Sequence, residues 1–108
     1  MLKVDMEYDK GILYVRLNGV LERKVSYKIN NYLVPTILKH KVKYLVFNLL
    51  ELQDIDESGM DALLNTKCAI RTNRGKICLC EVSDEVREKI KRLRMKIASN
   101  ELAANKLI

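Results

Sequence analysis

The chain has 108 residues, 48% of them hydrophobic, which suits one domain able to bury an ordinary core without disulfide or metal staples. No run approaches the roughly 18 consecutive apolar residues of a membrane span, and Met1-Leu2-Lys3-Val4-Asp5 lacks the apolar stretch of a signal peptide, so a single cytoplasmic domain over 1–108 is expected. A net charge of +6 permits contact with nucleic acid, an anionic membrane or an acidic protein surface without choosing among them.

Lys3 to Tyr8 alternates loosely, Asp9-Lys10-Gly11 reads as a turn, and Ile12 to Leu17 is rich in β-branched and aromatic residues before Asn18-Gly19. These residues predict two strands in an antiparallel hairpin. Val25, Ile29, Leu33 and Ile37 then recur every fourth residue, the stripe of a helix ending near His40. Pro35 lacks an amide hydrogen and crowds the preceding turn, so that helix should kink or restart near Leu33 and Val34. Tyr44 to Leu50 is almost continuously apolar, as in a strand covered on both faces, and belongs in the middle of a sheet.

A helix is expected from about Ser58 to Thr72, with Met60, Leu63, Leu64 and Cys68 on its inner side and Gly75 as a left-handed cap. Lys76 to Val82 predicts another strand, and Ser83-Asp84 can cap a helix carrying Val86, Ile90 and Leu93. Ile97-Ala98 can add a short strand, followed by a helix from Glu101 to Ile108 that buries Leu102 with Leu107 or Ile108. The order β-β-α-β-α-β-α, with an optional further β-α, is that of an α/β protein. It predicts a mixed four- to five-stranded sheet flanked by about four helices, with parallel later strands.

Cys78 and Cys80 lie two apart in an apolar run and would share one strand face as buried thiols. With only Cys68 and His40 left as soft ligands, no metal site is expected, and no cofactor either. The basic run Arg87, Lys89, Lys91, Arg92, Arg94 and Lys96 reads as a solvated helix face; without an aromatic to stack on bases it does not predict nucleic-acid binding.

Function should gather where the most apolar strand meets the next helix, at Asp56-Glu57-Ser58-Gly59. Three readings meet there. Ser58-x-x-Asp61 before an apolar run is a capping box. Asp54-x-Asp56-x-Ser58-Gly59 matches the first half of a calcium loop, but Asn65 stands where a bidentate glutamate is needed and no helix precedes it. The third is a switch loop with an accessible serine.

Leu17-Asn18-Gly19-Val20-Leu21-Glu22, Val46-Phe47-Asn48-Leu49 and Asp56-Glu57-Ser58-Gly59-Met60, in this order and spacing, resemble the STAS family of anti-sigma factor antagonists. The resemblance implies a STAS-like fold and a phosphoacceptor hydroxyl at Ser58, with Asp56 beside it and Glu22 on the adjacent turn. Glu22 stands where that family usually carries Asp, and Glu57 where a small residue is common. The implied switch loop and partner-binding residues are Glu22, Asp54, Asp56, Glu57, Gly59, Met60 and Asp61. The implied partner is an anti-sigma factor with serine kinase activity, released when Ser58 is phosphorylated. A non-phosphorylated scaffold or adaptor of a signalling or lipid-transport complex is the alternative. Catalysis is not expected, because the single histidine, His40, falls at the far end of a different element with no recognisable triad spacing, and no glycine-rich phosphate loop is present.

Overall fold

The computed structural model describes all 108 residues. Strands β1 (Leu2–Asp9) and β2 (Ile12–Leu21) form the expected antiparallel hairpin, with Asp9 opposite Ile12. Its two-residue turn, Lys10-Gly11, takes positive φ at both positions (50° and 85°), the twist that joins right-handed strands tightly. β2 runs on past Asn18-Gly19 to Leu21, with register shifts on either side of that pair. Gly19 is required there: at φ 118° a Cβ would sit 2.1 Å from the carbonyl oxygen of Met1.

After a 3-10 turn at Arg23–Val25, the expected helix divides where Pro35 demands it. Lys28–Leu33 is a π-helical turn and α1 (Val34–Lys39) starts afresh with Pro35 in its first turn. The wider turn lets Val34 N–H bond the Ile29 carbonyl, so the missing proline donor falls where a helix start has free amides anyway. Ile29, Leu33 and Ile37 are fully buried, so the apolar stripe survives the change of helix type.

β3 (Tyr44–Ile55) is central in the order β1-β2-β3-β4-β5 and pairs in parallel with β2 and with β4 (Lys76–Cys80). β5 (Lys96–Ala98) adds a fifth strand parallel to β4. Between them lie α2 (Glu57–Thr72), α3 (Asp84–Ile90) continued by a 3-10 turn at Lys91–Leu93, and finally α4 (Glu101–Asn105).

Alternation divides the strands between two cores. Leu13, Val15, Leu17, Leu45, Phe47, Leu49 and Leu79 face the helices before β3, α2 and α3 in the larger one. Ile12, Val46, Cys78, Cys80 and Ala98 face α4, chiefly Ala104, in the smaller. Leu45, Val46 and Phe47 are therefore buried on both sides, which explains their unbroken apolar run.

Several expectations at element ends are corrected. Cys68 is exposed, and Gly59, Ala62, Thr66, Ala69 and Ile70 join Met60 and Leu63 on the buried side of α2. Arg74, at φ 60°, takes the left-handed position assigned to Gly75. Gly75 is needed for close approach instead, since a Cβ would lie 1.8 Å from the Lys43 carbonyl oxygen. In the last helix Leu102 is 72% exposed, while Leu107 and Ile108 pack half-buried beyond the end of α4. Ala104 is the residue of α4 that faces the sheet, packed with Ile12, Val46, Cys78, Cys80 and Ala98.

Candidate functional site

β3 ends at Ile55 and α2 begins at Glu57, so Asp56 is the single residue between them. Its extended backbone (φ −102°, ψ −175°) and carboxylate make it the helix cap, with Oδ1 accepting from Gly59 N–H at 2.8 Å. Oδ2 accepts from Arg23 N–H at 3.0 Å, and Asp56 N–H donates to the Leu21 carbonyl at 3.2 Å. The carboxylate thus caps α2 and ties the loop to the turn after β2. This corrects the capping box assigned to Ser58 and Asp61: Ser58 is the second residue of α2, half-buried, with its hydroxyl released from the capping role.

Gly59 brings that turn of α2 against β2. A Cβ on it would come 2.4 Å from the Leu21 carbonyl oxygen and 2.8 Å from Ile55 Cγ1. Gly59 and Met60 are both buried and shape the loop from inside, whereas Glu22, Asp54, Asp56, Glu57 and Asp61 are exposed around Ser58. Glu22 directly precedes Arg23, whose amide donates to Asp56, so Glu22 stands on the turn tied to the loop that opens α2.

Two of those acids are paired with cations that the sequence placed on a solvated face. Lys89 of α3 bonds the Asp54 carboxylate, and Arg92 Nη2 donates to Glu57 Oε2 at 2.8 Å. The Lys89 ammonium, helped by the Ile55 amide, holds the Asp54 carboxyl below the usual range; Glu57 raises the Arg92 guanidinium. Between loop and α3 lies a groove of about 410 Å³, lined by Ile55, Asp56, Glu57, Met60, Glu88, Lys89 and Arg92. Both pairs join residues 35 apart in the chain, a separation at which no local pattern signals a partner. The two carboxylates that matched half a calcium loop are engaged by donors, Asp54 by Lys89 and Asp56 by two backbone amides.

A second polar cluster sits on the opposite sheet face. Arg16 Nε and Nη2 bind Glu101 with two 2.8 Å bonds, and Asn48 Nδ2 donates to the same carboxylate at 2.8 Å. Arg16 Nη1 reaches Glu7 at 2.9 Å and Asp5 at 3.3 Å, so one guanidinium joins β1, β2 and α4. Arg16 holds Glu101 below the usual glutamate range, against the opposing effect of partial burial. This latch orients α4 and is remote from the Ser58 loop.

A five-stranded mixed sheet with a capped serine loop after its central strand defines the STAS class, and the STAS domain profile matches residues 3–101. The chain belongs to the STAS domain family. It is 29% identical over 85 residues to the anti-sigma F factor antagonist of Paenibacillus polymyxa, covering 79% of this chain and 73% of that protein. Its fold is similar to that of the phosphorylated form of the Bacillus cell-fate determinant SpoIIAA (TM-score 0.76, 20% identity, 98% and 100% of the two chains). It is also similar to that of an anti-sigma factor antagonist from Mycobacterium paratuberculosis (TM-score 0.82, 13% identity, 100% and 94%).

Proposed function

We infer that the protein is a cytoplasmic regulator of the anti-sigma factor antagonist type, acting by binding and not by catalysis. Its partner is an anti-sigma factor with serine kinase activity. The observation that carries this reading is the half-buried Ser58 in the first turn of the 16-residue α2, with exposed acids before and after it in the chain (Asp56, Glu57, Asp61) and Glu22 exposed on the turn that Asp56 holds through Arg23. The P. polymyxa relative, named as an anti-sigma F factor antagonist, supports it.

In the unmodified state the acidic rim steers the loop toward a basic partner surface. Phosphorylation of Ser58 adds about −1.5 to −2 charge at pH 7. The helix N-terminus attracts that charge, but Asp56 already occupies the Gly59 amide, and its carboxylate and that of Asp61 repel it, Glu57 being paired with Arg92. A partner fitted to the unmodified loop then meets extra bulk and like charge, and dissociates.

The test is incubation with an anti-sigma kinase and ATP, followed by intact mass and binding measurements on wild type, Ser58→Ala and Ser58→Asp. A single phosphate on wild type, none on Ser58→Ala, and binding weakened at least about tenfold by Ser58→Asp are expected, tenfold being about 1.4 kcal/mol. An unmodified Ser58 together with equal affinities would favour the adaptor reading.

A further inference from the structure

Lys67, Arg71, Lys76, Arg94 and Lys96 converge on one pocket of about 260 Å³ with no acidic side chain among its lining residues. Two cations come from the second half of α2, one from the start of β4, one from the turn after α3 and one from the start of β5. At the Ser58 loop Lys89 and Arg92 each meet a carboxylate; none of these five does. The end of α2 accounts for Arg71 as a complement to the helix dipole, but the cations at positions 76, 94 and 96 belong to other elements.

The pocket is built and not merely a patch of long side chains. The Lys67 ammonium donates to the carbonyls of Leu93 (2.9 Å) and Arg94 (3.3 Å), fixing the turn that delivers Arg94. Arg94 itself is held in the left-handed region (φ 52°, ψ 43°), where a non-glycine residue is uncommon, and its side chain is exposed at the mouth. Beneath the charges Ile77, Met95 and Leu107 supply a half-buried aliphatic floor.

We propose that this pocket is a second docking site, independent of Ser58, for an acidic protein segment carrying an aliphatic side chain. Charge complementarity selects an acidic partner, and the aliphatic floor selects a segment that buries one apolar side chain between its carboxylates. A nucleic acid is disfavoured because no aromatic residue lines the pocket to stack a base. A membrane is disfavoured because the apolar residues of the pocket, Ile77, Met95, Leu107 and Ile108, are half-buried and none is among the exposed large hydrophobics. Ser58 and Arg71 are separated by about 20 Å along α2, so the two sites are accessible at once.

The experiment uses the intact protein and amidated acidic peptides of identical charge with a central leucine or a central glycine, with no kinase present. Failure here therefore leaves the Ser58 reading untouched, and failure there leaves this one untouched. Titration by 15N NMR should move Arg71, Ile77, Arg94, Lys96 and Leu107, with the glycine peptide binding at least about tenfold more weakly than the leucine peptide. R94E/K96E should weaken the leucine peptide at least about tenfold, whereas K10E/K39E, with the same charge change elsewhere, should cost less than about threefold. R71E/K76E serves if the first pair fails to fold, as judged by circular dichroism. Equal weakening by distant and pocket variants, indifference to the leucine, or tighter binding of tripolyphosphate or of a single-stranded oligonucleotide would overturn the proposal.

Discussion

The Asp56 carboxylate accepts the backbone amide of Arg23 at 3.0 Å, and through this bond the loop that opens α2 is fastened to the turn that follows β2. The same side chain caps α2 through Gly59 N–H at 2.8 Å. Two segments that must act as one surface are therefore held in register by one residue.

Asp56→Ala should remove both bonds, costing about 1 to 2 kcal/mol as expected for a lost helix cap and lowering the thermal midpoint by roughly 5 to 10 °C. Asp56→Asn keeps one acceptor oxygen where two are used and sets its NH2 against the other backbone N–H, so it should recover only part of that loss. Thermal unfolding followed at 222 nm, with hydrogen exchange at the Gly59 and Arg23 amides, distinguishes the two variants. Unchanged exchange at both amides in Asp56→Ala would show that the carboxylate does not hold the turns together.

Gly59→Ala sets two effects against each other. Alanine is favoured over glycine in a helix by about 1 kcal/mol, but its Cβ would lie 2.4 Å from a backbone oxygen that cannot yield like a side chain. Overpacking costs of about 1 to 3 kcal/mol should dominate at this contact, giving net destabilisation in urea. A gain in stability would mean that α2 can shift away from β2 at little expense.

The pH response of α4 follows from Glu101. Its folded-state pKa is depressed, chiefly by Arg16, so as pH falls the unfolded chain takes up this proton before the folded one. The stabilisation is complete above the ordinary glutamate pKa and is lost as pH falls below about 4.5 through the folded value. The urea midpoint should decline over that window in wild type and decline less in Glu101→Gln, with exchange at Ala103 and Ala104 faster in the variant. Identical pH profiles for the two proteins would exclude the latch as their source.

Thiol reactivity should divide the three cysteines. Burial pushes Cys78 up to about 11 and Cys80 up to about 12, whereas Cys68 is exposed. At pH 8 a thiol-specific disulfide reagent should modify one thiol per native chain, at Cys68, and three after denaturation. Rapid native modification at Cys78 or Cys80 would mean that α4 opens readily from the sheet.

Much of the fold was legible because it rests on local rules. The apolar run at Tyr44 to Leu50, the turn at Lys10-Gly11 and the break imposed by Pro35 each reflect chemistry within a few residues, and each appears where expected. At the start of α2 two local rules compete. Asp56 and Ser58 are both good helix caps, and the position of β3, with Asp56 N–H on the Leu21 carbonyl, decides for Asp56. In α4 the most apolar residue is not the buried one: Leu102 is exposed and Ala104 faces the sheet, a choice of helix face that a five-residue helix leaves open to docking.

By itself the sequence determined the α/β order, the central strand, the shared face of Cys78 and Cys80, and the placement of Asp56-Glu57-Ser58-Gly59 at the junction of strand and helix. Hydrophobic period and missing or permissive backbone groups carry that information over short distances. Only the tertiary structure decided that Asp56 and not Ser58 caps the helix, that Lys89 and Arg92 close on Asp54 and Glu57, and that five cations meet without an acidic side chain at the far end of α2. Charges act through space, and which charges become neighbours depends on strand order and helix docking, to which residues 35 apart give no local clue.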